Sequence, residues 1–557
     1  MGIPCCYFLD SLKLCFAAGI IFKLTIPQVN MENIKKFLKN IEPRAYQIEI
    51  YKTCKEKNCL VILPTGMGKT LVALMLAIDR MVKFPQEKIL FLAPTRPLAQ
   101  QHLNYFKKHL PELFATMELF TGKTHAEKRK NLWQNAEIIF STPQCAQNDI
   151  KNNLYDLKDV SLLIFDECHR CLKNYSYTYV AKKYQEQAEN PRILGLTASP
   201  GHEKAKIQQI CNNMNIEAVE IRTRDSEDVK EYLQELKFEV IKIDFPEELD
   251  KIRENLKKIF SRKVEELKNR KLLFGPATKK NLLETQHQIM KAIASGNKHF
   301  NLLAGASACA QTLKLQHALE LLETQTLSSL NSYMLDLFEQ AKQEKSKAVI
   351  QIIKQPEFSQ AYTKLVELIA KKQEHPKLIK LKEIISEEIK KNPKMKIIVF
   401  AQFRDTVTKI CKELNSIPNI NARVFVGQAK KESKGVEKLT GLSQREQQEI
   451  IHEFSLGKIN ILCATQIAEE GLDLPEISCV IFYDNVPSVI RKVQRAGRTA
   501  RLRPGKLIIL ITKGTRDESY YWAAFHRERK MHRIIENIKE NSTNKKEKGK
   551  QLNLGFK

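Results

Sequence analysis

No apolar run in this chain is long enough to cross a membrane. The stretch LCFAAGIIF (Leu14–Phe22) stops at Lys23 after nine residues, whereas a spanning helix needs about 20. The basic lead-in and small-residue cleavage site of a secretory signal are also missing. Met31 opens a polar helical stretch, MENIKKFLKNIEPRAYQ, so residues 1–30 are expected to be an over-extended reading frame with the true start at Met31; an uncleaved hydrophobic anchor is the alternative. The thirteen cysteines lack regular spacing, which argues against a disulfide scaffold and fits reduced thiols in a cytosol. Acidic charge is short: 64 Asp and Glu face 91 Lys and Arg, a formal +27. That excess points to a polyanion such as nucleic acid or an anionic membrane surface, or serves solubility alone.

What is present reads as folded protein, with 43% hydrophobic and 28% charged residues. At 557 residues the chain exceeds one hydrophobic core, and two to four domains are expected. Short apolar runs (CLVIL, KILFLAP, AEIIFSTP, VSLLIFDE, RILGLTASP) alternate with helical patterns from about residue 59 to 200. A second set (KIIVFAQF, ARVFVGQ, INILCAT, SCVIFYD, KLIILIT) follows from about 396 to 512. Such runs predict buried parallel strands joined by crossover helices, hence two α/β domains. Between them, LKLQHALELLETQTLSSL carries a helical apolar stripe and predicts an inserted helical domain.

The chemistry-bearing stretches lie in the first set. VILPTGMGKTLVALMLAIDRMV reads strand, glycine loop, helix, with Leu63 where a full phosphate-loop pattern would place its first glycine. Gly66 and Gly68 let the backbone approach phosphates, Lys69 neutralises charge and Thr70 can ligate Mg²⁺. LLIFDECHRC puts Asp166 and Glu167 after an apolar run, where Asp166 would hold Mg²⁺ and Glu167 would polarise an attacking water. A zinc cluster of Cys168, His169 and Cys171 would need a fourth ligand; Cys54 and Cys59 lack a matching second pair. His169 is expected to bond between motifs and Cys168 to pack passively.

LPTGMGKT, APTRPLAQQH, DECHR, LTASP, EEGLDLPE and QRAGRTAR, in this order, resemble the motifs of superfamily 2 helicases. The helical insertion and runs such as HALELLETQTLSSL and TKGTRDESYYW are similar, more narrowly, to the archaeal Hef and eukaryotic FANCM family. The resemblance covers about residues 31–535. It implies an α/β fold of two RecA-like parallel-sheet domains with a thumb-like helical insertion: domain 1 over 31–225, insertion over 226–380, domain 2 over 381–535, and a flexible basic tail over 536–557. It implies ATP between the domains, bound by Arg44, Gln47, Pro64, Thr65, Gly66, Met67, Gly68, Lys69, Thr70 and Asp473, with Mg²⁺ on Thr70 and Asp166. Lys69, Asp166, Glu167, Gln494, Arg498 and Arg501 would be catalytic; the last two would reach the γ-phosphate from domain 2. Thr197 and Ser199 would couple nucleotide state to strand grip. Nucleic acid would run along Thr95, Arg96, Thr121, Gly122, Thr142 and Gln144 in domain 1, and Gln402, Arg404, Gly427, Gln428 and Thr465 in domain 2.

Family members can carry a nuclease half. Here Glu528-Arg529-Lys530 lacks a preceding Gly-Asp and a following Asp, so it reads as a solvated helix face, and any nuclease would be a separate partner. The tail KGKQLNLGFK resembles a sliding-clamp-binding peptide through Gln551, Leu554 and Phe556, with one residue fewer than the usual spacing. Residues 251–280 hold eleven Lys or Arg against three Glu, which predicts DNA contact through Lys257, Lys258, Arg262 and Lys263. The expected activity is that of an ATP-dependent DNA helicase or translocase, 3′-to-5′, on forked or branched DNA in replication-fork repair, acting in the cytoplasm at the nucleoid. Alternatives are a double-stranded RNA ATPase of the RIG-I or Dicer type and a non-catalytic DNA-binding scaffold.

Overall fold

The computed structural model describes residues 31–551 apart from 202, 225, 233–234, 298, 429–440, 466–474, 476 and 486–503, with side chains to 537 apart from 532, 535 and 536. Seven parallel strands form the first sheet: β1 (Cys59–Ile62), β2 (Lys88–Leu92), β3 (Met117–Phe120), β4 (Ile138–Ser141), β5 (Val160–Phe165), β6 (Ile193–Thr197) and β7 (Ala218–Ile221), ordered β3-β4-β2-β5-β6-β1-β7. Both faces are covered. Val61, Phe91, Ile164 and Leu196 point into one core and Leu60, Leu90, Leu163 and Ile193 into the other. This is why the strands read as unbroken apolar runs rather than as alternation.

The second sheet comprises β8 (Leu236–Ile243), β9 (Ile397–Phe400), β10 (Ala422–Phe425), β11 (Ile461–Ala464), β12 (Cys479–Phe482) and β13 (Gly505–Thr512), also parallel, ordered β10-β11-β9-β12-β13-β8. β8 lies within the span the sequence places in the insertion. Its sequence, LKFEVIKI, alternates charged and apolar residues because it is an edge strand, half-covered and bonded only to β13. The chain therefore enters the second domain's sheet first and builds the helical domain afterwards, from Glu247–Asn269 to Pro356–Ala370. Helix Pro376–Lys391 already belongs to the second domain, burying Leu378, Leu381 and Ile385 against its sheet.

A buried polar seam ties the insertion to the second domain. Gln325 Nε2 donates to Asp484 Oδ2 (2.9 Å) and Thr406 Oγ1 to Gln325 Oε1 (2.8 Å). Lys377 Nζ donates to Asp517 Oδ2 (2.8 Å) and to Thr324 O (3.1 Å) with both charged side chains fully buried. The last helix, Arg516–Gln551, leaves this seam and crosses to the first domain, where Met531 is buried in its core. It continues as helix beyond 536 as far as Gln551, within the stretch the sequence reads as flexible tail.

Candidate nucleotide site and nucleic-acid interface

β1 delivers the loop Leu63–Gly68 to the carboxyl edge of the first sheet. Leu63, which stands in place of the pattern's first glycine, is fully buried, and its N–H donates to Thr197 O (3.1 Å), prolonging the β1–β6 ladder. The turn itself falls on the two glycines, Gly66 (φ 84°) and Gly68 (φ 72°), in the left-handed region that a side chain disfavours. A Cβ on Gly68 would also run into Gln47 Nε2. Gln47 Nε2 donates to Met67 O (3.2 Å), Tyr46 OH donates to the same carbonyl (2.8 Å), and Gln47 Oε1 accepts from Arg44 N (2.9 Å). The Arg44 guanidinium lies over the Tyr232 ring at 4.9 Å. Lys69 Nζ folds back to Leu63 O (3.1 Å). Pro64, Thr65, Lys69 and Thr70 are all half-buried along the same loop and first helical turn.

β5 delivers the two carboxylates. Asp166 Oδ2 is 2.9 Å from His102 Nε2, and Tyr177 OH donates to Asp166 O (2.7 Å). Burial alone would raise the Asp166 carboxyl, but His102 and the Lys69 ammonium outweigh it and hold it below its ordinary value. Glu167 adopts φ 49°, ψ 47°, a left-handed conformation that a non-glycine residue holds only against strain. His169 Nδ1 lies 3.2 Å from Glu167 Oε2 and 3.1 Å from Thr197 Oγ1. The hydrogen bond goes to Thr197, linking DECH to TASP, and Glu167 Oε2 is buried without one. Ser199 Oγ in turn sits 3.1 Å from Met531 Sδ of the last helix. His102, Tyr46, Tyr177 and Tyr232 are absent from the sequence-based list. His102 had a signal, sharing one helical face with the buried Ala99, Leu103 and Phe106.

Cys168 and Cys171 are packed in the core. Burial pushes the Cys168 thiol well above its usual range and Cys171 up to about 12. Among the described residues no group of three or more His, Cys, Asp or Glu side chains could hold a metal ion. Mg²⁺ has different needs, a few oxygens and several of its own waters. Asp166, kept anionic beside Lys69 and near the orphaned Glu167 Oε2, fits them.

Strand order sorts the motifs into two halves. The phosphate loop, TASP and DECH leave the adjacent strands β1, β6 and β5, while APTR (Thr95, Arg96), STPQ (Thr142, Gln144) and TG (Thr121, Gly122) leave β2, β4 and β3 on the other half of the same edge. In the second sheet, Gln402 and Arg404, Gly427 and Gln428, and Thr465 leave β9, β10 and β11, again neighbours. Thr95, Gly122, Gln144 and Gln428 are exposed. Thr121 is buried, so only its neighbour Gly122 presents an accessible surface. Arg404 Nη2 donates to Gly427 O (3.1 Å), Gln402 N donates to Asp484 Oδ2 (2.7 Å) and Thr465 N to Phe425 O (3.2 Å). Asp473, Gln494, Arg498, Arg501, Leu554 and Phe556 lie outside the described residues, as does the Gln551 side chain.

In the insertion the basic cluster is more neutralised than its sequence window implies. Lys251, Arg253, Arg262, Lys263, Arg270, Lys279 and Lys280 pair with Glu247, Asp250, Glu357, Glu266, Glu266, Glu320 and Glu284 respectively. Five of those acids lie outside residues 251–280 in sequence, and the fold brings them in. Lys257 and Lys258 line an open hollow with Arg262 and Glu357.

Residues 44–207 match the DEAD/DEAH box helicase family, 376–503 the helicase conserved C-terminal domain, and 248–375 a helical bundle described for an ATP-dependent RNA helicase. The crystal structure of the Pyrococcus furiosus Hef helicase domain is 42% identical, with a TM-score of 0.66 over 86% of this chain and 98% of that one. The chain belongs to the Hef/FANCM family of superfamily 2 helicases. Its Hef-type architecture is thus two parallel-sheet domains with a helical bundle between them in sequence. Similar curated proteins include MJ1505 of Methanocaldococcus jannaschii, named provisionally as an ATP-dependent RNA helicase (37% identity over 90% of this chain and 61% of the relative), and the ATP-dependent DNA helicase mph1 of Sclerotinia sclerotiorum (33%, 86% and 40%). The mouse Fanconi anemia group M protein homolog matches at 29%, over 86% of this chain and 25% of its own length. The Hef-type chain therefore spans only part of each of these relatives. No helix among the described residues is long and apolar enough to cross a membrane.

Proposed function

We propose that this chain is an ATP-dependent, Mg²⁺-requiring DNA helicase or translocase that moves 3′-to-5′ on forked or branched DNA during replication-fork repair. The observation that carries the reading is the sorting of phosphate-binding and carboxylate loops onto β1, β6 and β5, and of threonine- and amide-bearing loops onto β2, β4, β3 and β9, β10, β11. A nucleotide at the first group and a nucleic-acid backbone along the second would share one sheet edge, where ligands of open α/β sheets bind. Gly66, Gly68 and Lys69 bind the phosphates, Thr70 and Asp166 hold Mg²⁺, and Glu167 orients the attacking water. Arg44 and Gln47 border the loop on the adenine side. Catalytic roles for Gln494, Arg498 and Arg501 and a nucleotide-binding role for Asp473, all outside the described residues, are part of this reading. A clamp contact through Gln551–Phe556, a separate nuclease and action at the nucleoid in the cytoplasm belong to the same reading.

The relatives' names divide between RNA and DNA, so the test is ATP turnover with forked DNA, single-stranded DNA and double-stranded RNA side by side. Forked DNA is expected to stimulate most; stimulation by double-stranded RNA alone would overturn the DNA assignment. In the same assay Lys257→Glu with Lys258→Glu is expected to weaken fork binding and flatten its dependence on log salt by up to about 0.9 per lost duplex phosphate contact. Reversing Arg262 or Lys263 is less informative, since each also breaks an internal ion pair. An unchanged salt slope would reduce Lys257 and Lys258 to a solvated surface.

A further inference from the structure

The insertion ends in two phenylalanines that the fold does not cover. Phe274 and Phe300 are each 79% exposed, more than the half-exposed Leu283, Met290 and Leu303 of the same segment, while Leu273, Leu282 and Ile289 turn inward. In the run Leu272-Leu273-Phe274, Leu273 is 3% exposed and Leu272 packs so tightly on Gly305 that a Cβ there would collide with it, while Phe274 is thrust outward. The segment is firmly held. Leu272 N and Leu273 N both donate to Leu267 O (3.0 and 3.3 Å), and Asn281 Nδ2 donates to Pro276 O (3.0 Å). Phe300 opens the neighbouring helix Phe300–Thr324, and that helix start is clasped to the same turn: Arg270 Nη1 donates to Asn301 Oδ1 (3.1 Å) and Asn301 Nδ2 to Arg270 O (3.3 Å). Both rings therefore stand on one braced end of the insertion.

That end is remote and basic. The helix Phe300–Thr324 has 25 residues, about 37 Å at ~1.5 Å per residue, and its other end is fastened in the buried seam through Thr324 and Gln325. Lys268, Arg270 and Lys271 flank that turn, and Lys291 follows Ile289, which packs beside Gly305; they are set against Glu265 and Glu266, whereas Lys279 lies toward the opposite end, paired with Glu320. An apolar partner surface has no need of that charge, whereas a polyanion with exposed π-faces uses both features: cations for its phosphates and rings for its bases.

We propose that Phe274 and Phe300 form a stacking platform for bases left unpaired or end-exposed at a DNA branch point, held about one helix length from the motor. The inference rests on the branched-DNA reading above and deepens it by naming the groups that would tell a junction from plain duplex. In continuous duplex the base faces are covered by their neighbours, so the platform contributes nothing there; at a branch it gains a partner.

The test uses the full chain and a synthetic fork carrying 2-aminopurine at the junction pair. Wild-type protein is expected to change the probe's fluorescence on binding. Phe274→Ala with Phe300→Ala should abolish that change and lower fork affinity by about tenfold or more, with linear-duplex affinity and single-strand-stimulated ATP turnover unaffected. Paired Leu substitutions, apolar but unable to stack, should behave like Ala, and paired Tyr substitutions should restore both signals. Leu variants matching wild type would overturn the platform by showing that only apolar packing matters, and Ala variants with intact fork preference would overturn it outright. If wild-type protein responds to no DNA at all, the function proposed above falls first; fork preference that survives loss of the rings removes the platform alone.

Discussion

Glu167→Gln is expected to lower nucleic-acid-stimulated ATP turnover by about 100-fold or more, the scale of losing a general base, while nucleotide affinity stays nearly unchanged. The carboxylate is placed for this role by two features that no structural need explains. Its backbone is held at φ 49° immediately after β5, and its Oε2 is buried without a hydrogen-bond partner. Gln keeps the volume and the left-handed backbone but cannot accept a proton, so folding is untouched and the chemistry is lost. Lys69→Ala provides the contrast. Lys69 Nζ donates to the loop carbonyls Leu63 O (3.1 Å) and Pro64 O (3.5 Å); on the proposed reading its charge serves the phosphates, so removing it should weaken nucleotide binding itself. Single-turnover hydrolysis together with fluorescent-nucleotide titration separates the two. Near-wild-type turnover in the Gln variant would remove Glu167 from the mechanism, and unchanged affinity in the Ala variant would remove the phosphate-loop reading.

Lys377→Met is expected to destabilise the second domain and its insertion by about 3–5 kcal/mol, the cost of stranding one member of a buried ion pair. Both side chains of the Lys377–Asp517 pair are fully buried. Without the ammonium, Asp517 keeps donors from Asn485 N (3.2 Å), Asn485 Nδ2 (3.1 Å) and Thr512 N (3.1 Å) but has no compensating charge. The loss also frees Thr324 O at the end of the long insertion helix, so fork recognition should suffer more than single-strand-stimulated turnover. Denaturant unfolding reads the first effect; a shift below about 1 kcal/mol, the scale of an ordinary substitution, would show the pair to be dispensable. The same seam adds an acid sensitivity. Burial first, then the neighbouring Lys377 charge, push His375 down to about 3, against about 6.5 in an unfolded chain. Its contribution to stability is complete above about 6.5 and is lost as the pH falls toward 3, because the unfolded chain then binds a proton the folded chain refuses.

Much of this architecture is readable from the chain alone. Apolar runs buried on both faces, each closed by a chemistry-bearing loop, announce parallel strands because only such strands are apolar at every position. Gly66 and Gly68 are legible for a related reason, since few residues other than glycine can hold those dihedrals. β8 was harder to place because an edge strand half-covered by solvent alternates Leu, Lys, Phe and Glu much as a helix surface does. His102 stayed hidden because its partner Asp166 is 64 residues away, and Tyr177 because nothing in its own surroundings marks its bond to Asp166 O.

The sequence by itself determined most of the strands, the phosphate loop, the carboxylate pair and the helical character of the insertion, since each depends on residues close together in the chain. Only the tertiary structure decided which loops share a side of the sheet edge, that seven of the eleven cations in residues 251–280 are matched by acids mostly outside that window, and that Phe274 and Phe300 of the helical bundle face outward. Strand order, ion pairing and exposure depend on residues tens to hundreds of positions apart, and the separation that governs them is distance in space.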